Sequence, residues 1–190
     1  MRIVTRLNIG GPAIHTILLS GSLNDEGSYN NMLVTGSVSE SEGDMTGLAK
    51  EKNIVPVVIP DLVREISFKK DLKAFLDLYR LIKRERPDIV HTHMAKAGTL
   101  GRLASIVAGV PVKVHTFHGH VFDGYFNPAK ARIFILIEKF LALFTDKVIM
   151  VSERVKNDIV KRLKVVSGSK SVVITLGLEL DRFADCESEK

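Results

Sequence analysis

Short apolar runs of strand length alternate with longer stretches of helical period along almost the whole chain, and that alternation leaves few folds open. Ile3-Val4 begins a first strand, and Gly10-Gly11-Pro12 breaks it. A helix follows, with Ile14, Ile17, Leu18 and Leu23 on its buried side. Asn31–Thr35 reads as the second strand, closed by Gly36, and Ser37–Asp44 as a mobile polar loop. A short helix near Gly47–Lys52 leads to a third strand, Ile54–Ile59. Leu72–Arg86 has the broad apolar face of an amphipathic helix, and Pro87 ends it. Asp88–His93 is the fourth strand, Ala97–Val107 a helix stopped by Gly109, and Val112–Phe117 the fifth strand. Pro128 opens a helix running to about Phe144. Val148–Val151 is a sixth strand, Ser152 an N-cap, Ser167-Gly168-Ser169 a turn and Val172–Thr175 a last strand. The pattern predicts an α/β, Rossmann-like fold: a mostly parallel sheet of about seven strands with helices on both faces. Such sheets bind ligands beyond the carboxyl ends of their strands, where strand order reverses. The segments after the first, fourth and fifth strands are therefore the places for a site.

The totals exclude several classes. A chain of 190 residues suits one domain of this kind and is short for two. Cys186 is the single cysteine, which rules out an internal disulfide and fits a cytoplasmic location. The start at Met1-Arg2-Ile3 shows no signal-peptide pattern. The most apolar stretch, Ile133–Met150, is interrupted by Glu138, Lys139, Asp146 and Lys147, which argues against a spanning helix. The formal charge of +5 comes mostly from two segments, Lys69–Arg86 and Lys147–Lys164. These read as solvated helix faces, with peripheral attraction to an anionic membrane surface as the sharper alternative. No tryptophan and no recognised binding motif are present, so nucleic acid is not an expected partner.

Three segments carry residues fit for chemistry. In Asn8-Ile9-Gly10-Gly11-Pro12-Ala13 the glycines let a backbone approach a ligand, and the helix that follows offers free N–H groups to a phosphate. A plain tight turn explains the pair equally well. In His91–Arg102, His91 and His93 project to one side of their strand, Lys96 sits at a helix start, and Arg102 is a candidate partner for a carboxylate. In His115–Phe126, His118, Gly119 and His120 lie at a strand end, where imidazoles suit acid–base work or sugar contacts. Structural hydrogen bonding is the plainer reading of each histidine, and three imidazoles on zinc a further alternative. Gly-x-Ser-x-Gly, Cys-x-x-Cys and Asp-x-Asp are all missing, so a reaction without metal or cofactor is expected.

Together these segments resemble the amino-terminal domain of family-4 glycosyltransferases of the GT-B fold. The resemblance rests on Thr5–Pro12, His91–Gly98, His115–His120, Val151–Val155 and Leu176–Phe183, in that order. It implies transfer of a sugar, with retention, from a nucleotide-diphosphate sugar to a glycan or lipid-linked acceptor. It implies that Gly10 and Gly11 face the donor diphosphate, that His118 faces the transferred sugar, and that His93, Lys96, Gly119 and His120 lie toward the acceptor. Residues 1–183 are then the acceptor-side domain and 184–190 the start of a linker or tail. The donor-binding carboxy-terminal domain is absent from the chain, which should be inactive alone. A nucleotide-sugar epimerase of the same plan and a non-catalytic acceptor- or lipid-binding module are the alternatives.

Overall fold

The computed structural model describes residues 1–39, 42–119 and 128–177. Its strands are β1 (Arg2–Arg6), β2 (Leu33–Gly36), β3 (Val57–Ile59), β4 (Ile89–His93), β5 (Val112–Phe117), β6 (Lys147–Met150) and β7 (Ser171–Val173). Its helices are α1 (Gly11–Asp25), α2 (Thr46–Glu51), α3 (Phe68–Glu85), α4 (Ala95–Ala108), α5 (Pro128–Leu143) and α6 (Glu153–Lys156), the last continuing as a π-helical turn to Arg162. The seven strands form one sheet in the order β3-β2-β1-β4-β5-β6-β7, every described pair parallel. Strand order reverses between β1 and β4, which makes that crevice the switch point expected to bind ligands.

Side-chain alternation sorts the helices between the two faces. Ile3 packs with α3 and α4 through Leu78, Ile82, Ala97 and Ala104, whereas its neighbour Val4 packs with Ala13 and Ile17 of α1 and Ala49 of α2. Phe117 and Val148 meet Ala142 of α5 and Ile159 on the first of these faces. Thus α1 and α2 cover one face, and α3 to α6 the other. Glycines set how closely α4 lies on the sheet. A Cβ on Gly98 would stand 2.6 Å from His115 Cε1, and one on Gly101 2.8 Å from Thr92 Cγ2. The buried Arg102 then bridges α4 to α5 by a 2.6 Å ion pair with Glu138, and its Nε donates to the Gly98 carbonyl at 2.7 Å.

Several boundaries differ from the sequence reading for local reasons. β3 starts at Val57, since Pro56 has no N–H to give the ladder. α3 begins earlier, at Phe68, where Asp71 accepts from the backbone N–H of Ser67. Arg86 closes α3 in a left-handed conformation, and Gly109 does the same for α4. The loop read as mobile is anchored at Glu42, whose carboxylate takes Arg6 Nη2 at 2.9 Å. The segment 184–190 lies outside the described residues.

Candidate functional site

The switch point gathers residues from four elements. β1 leads into the turn Asn8–Gly10, and α1 starts at Gly11 with Pro12 in its first turn. Neither glycine is demanded by packing: a Cβ on Gly11 would meet nothing within 4 Å, and one on Gly10 only ordinary contacts at 3.9 Å. The space before this turn therefore admits a ligand close to the backbone, beside the N–H of Gly11 at the start of a long helix; Pro12 has no N–H and that of Ala13 donates to the Gly10 carbonyl.

His93 ends β4 and His118 follows β5, which is the neighbouring strand. Their rings are joined by a 3.0 Å hydrogen bond between His93 Nδ1 and His118 Nε2. His91, two residues before His93, stacks on it at 4.2 Å between centroids and bonds Thr116 Oγ1 at 2.7 Å through Nε2. His15, one turn into α1, brings its ring to 5.4 Å from His118 and 6.1 Å from His93. The sequence reading passed over His15. The signal available was its position four residues after Gly11, which turns it to the same end of the sheet as the two strand-end histidines.

The cluster is kept neutral. Burial pushes His93 and His91 well below the ordinary imidazole value, helped by the charges of neighbouring rings and Arg2. Burial, with His15 close by, lowers His118 to about 4. Two buried nitrogens, His93 Nε2 and His118 Nδ1, have no hydrogen-bond partner. A neutral ring that spends Nε2 on His93 keeps Nδ1 for another group, which is the chemistry of a sugar hydroxyl contact rather than of a cationic acid. Among the described residues no group of histidine, cysteine or carboxylate side chains is arranged to hold a metal.

The other expected residues fall differently. His93 is fully buried behind His118, with the rings of His91 and His15 also beside it. Lys96 is neither solvated nor free for an anion: its ammonium is 2.5 Å from Asp71 Oδ1 and also donates to the Glu65 carbonyl. Gly119 is exposed directly after His118, and His120 lies outside the described residues. His115 points to the opposite face, under Gly98, where Nδ1 bonds Thr92 Oγ1 at 2.9 Å. Met94, between His93 and α4, holds φ 66° and ψ 161°, a region that disfavours any side chain. That strained link turns the chain from strand into helix while His93 stays pointed inward.

The profile of glycosyltransferase family 4 matches residues 9–182. A curated relative from Escherichia coli, UDP-Gal:alpha-D-GlcNAc-diphosphoundecaprenol alpha-1,3-galactosyltransferase, is 40% identical over 126 residues, covering 66% of this chain and 32% of that protein. The solved glycosyltransferase from Rickettsia africae ESF-5 superposes with a TM-score of 0.68 at 22% identity, covering 97% of this chain and 45% of that one. UDP-N-acetylglucosamine 2-epimerase from Rickettsia bellii does so with a TM-score of 0.64 at 15% identity, covering 100% of this chain and 48% of that one. At such identities the two structures speak for the fold alone. The chain spans about a third of the curated relative's length and under half of either solved chain.

Proposed function

Because the chain belongs to glycosyltransferase family 4, we propose that it is the acceptor-side half of an enzyme that moves a sugar, with retention, from a nucleotide-diphosphate sugar to a glycan or lipid-linked acceptor. One observation carries the site assignment: the unpartnered, buried His118 Nδ1 stands at the crevice where the Gly10–Gly11 turn opens α1. The diphosphate lies against Gly10 and Gly11, where N–H groups and the helix dipole balance its charge. His118 holds a hydroxyl of the transferred sugar. His93 fixes the His118 ring from behind. Leaving a bare lone pair on the deeper His93 Nε2 costs less than burying an unpaired N–H there. His93 Nδ1–H therefore donates, and His118 presents Nδ1–H as a donor to the sugar. The acceptor approaches from the side of Gly119 and the Lys96–Asp71 pair. No metal is needed, and a second Rossmann-like domain supplies the donor clamp.

The relative's printed substrate makes UDP-galactose and a diphosphate-linked N-acetylglucosamine acceptor the first pair to assay. With the donor-binding half present, His118→Ala should lower transfer about 10- to 100-fold, the equivalent of one lost contact of roughly 1–3 kcal/mol. Unchanged transfer by a folded His118→Ala enzyme would refute the assignment. The epimerase reading shares only the fold. Turnover of labelled donor without any acceptor would establish it instead.

A further inference from the structure

The helix start at the switch point is short of N–H groups for an anion. Pro12 has none, and those of Ala13 and Ile14 both donate to the Gly10 carbonyl at 3.1 Å, which leaves the N–H of Gly11. A diphosphate carries more oxygens than that group can serve, so a site for it here needs a side-chain N–H as well.

His15 is the side chain placed to give one. It stands four residues after Gly11, on the same side of α1. Helical side chains lean toward the amino end, so the imidazole covers the turn that begins at Gly11. A Cβ on Gly11 would meet nothing within 4 Å, so that turn brings no bulk of its own. The His118 ring meets His15 edge to face at 5.4 Å between centroids. Gly11, His15 and His118 thus bound one notch. His15 is half-buried, and its ring has no hydrogen-bond partner among the described residues.

The charge behind the notch is positive and unbalanced. Arg2 is 4% exposed and donates to Ser20 Oγ at 2.8 Å and Asn31 Oδ1 at 3.4 Å, both uncharged, while its Nε has no partner. A buried cation without a counter-charge favours an anion on its side of the sheet. Burial and the Arg2 charge hold His15 below the ordinary imidazole value, so the ring is neutral near pH 7. The other titratable groups around it are His91 and His93 from β4 and His118 beyond β5, each kept neutral by burial, and the amino terminus, whose charge acts on His91. An anion set against His15 reverses the balance there, because opposite charge favours the protonated ring.

Given a nucleotide diphosphate at Gly10–Gly11, as proposed above, we infer that His15 binds it, giving an imidazole N–H to a phosphate oxygen and taking a proton from solvent as the anion enters the notch. His118 stays neutral and keeps the sugar hydroxyl, so the two rings divide the work by charge. A ligand that raises a group's pKa is bound more tightly below the raised value and loses that gain above it. Affinity for the sugar donor should therefore fall as pH rises through neutrality.

The test uses the enzyme with its donor-binding half and UDP-galactose, whose phosphates carry no proton that titrates near neutrality. Histidine rings are labelled with nitrogen-15, and the signal lost in His15→Gln identifies His15. On binding, the His15 nitrogens should move to imidazolium shifts while those of His118 stay neutral. The Kd should rise with pH between about 6 and 8, by at most about tenfold per unit. His15→Ala should weaken binding about tenfold at the acid end and flatten the profile. His15→Gln, which keeps a neutral N–H, should recover part of the affinity and none of the pH dependence. Neither change removes a hydrogen bond within the fold, so unfolding midpoints should stay near the parent's. A His15 ring that stays neutral while Gly11 and His118 signals move would overturn the inference and leave the crevice reading standing. So would a pH profile unaltered in His15→Ala. No change at Gly11, His15 or His118 would remove the crevice reading, and the role of His15 with it.

Discussion

Gly98→Ala tests whether α4 is seated on the sheet by contact with His115. Two effects oppose each other. Alanine in a helix interior is favoured over glycine by about 0.5–1 kcal/mol. The new Cβ, however, would lie 2.6 Å from His115 Cε1 and 3.2 Å from its Nδ1. That is roughly 1 Å inside ordinary carbon contact. His115 has no easy retreat, being 1% exposed and held by Thr92 at 2.9 Å. Overpacking of a tight core costs about 1–3 kcal/mol, so contact wins and the net loss should be about 1–2 kcal/mol. Gly47→Ala in α2 is the control, since its Cβ would meet nothing within 4 Å. That change should add up to about 1 kcal/mol. Urea unfolding reads both as shifts in midpoint at constant slope. In a His115→Ala background the penalty of Gly98→Ala should vanish, because the two positions are in contact. If Gly98→Ala were as stable as Gly47→Ala in the parent chain, the seating argument would be wrong.

Glu138→Ala strands the buried Arg102 cation and should cost about 3–5 kcal/mol, whereas Arg102→Met with Glu138→Leu should cost far less; chemical denaturation of the three chains decides it. The folded state refuses protons at His91, His93, His115 and His118 that the unfolded chain accepts below about 6.5. Stability should therefore be level above that pH and fall as pH drops from 6.5 toward 4, by up to about 1.4 kcal/mol per unit per ring. A flat unfolding midpoint between pH 7 and 5 would contradict the buried neutral cluster. Gly11→Ala should leave the unfolding midpoint unchanged or slightly raised, since the added methyl meets open space. In the enzyme with its donor-binding half, the same change should raise the donor KM, while an unaltered KM would return Gly10–Gly11 to the status of a plain turn.

The sequence by itself determined the class of fold, because hydrophobic period is a property of neighbours along the chain. Val112–Phe117 as a strand and Leu72–Arg86 as a helix are both legible that way, and strand–helix alternation then requires parallel pairing. It also marked the β1–α1 turn and the histidine-bearing strand ends as the places for a site. What it did not contain is which side of a strand end faces a ligand and which faces a neighbour. His93 and His118 are 25 positions apart, and only the β4–β5 pairing puts one ring behind the other. Lys96 looks like a free cation until α3 brings Asp71 against it. His15 reads as an ordinary helix position until α1 crosses the switch point. Arg102 is a candidate partner for a carboxylate in the sequence, but that the carboxylate is Glu138 and that the pair is buried follow only from the packing of α4 on α5. In each case the deciding quantity is a distance between elements far apart in the chain. Sheet register and helix seating set such distances, and local pattern carries no record of them.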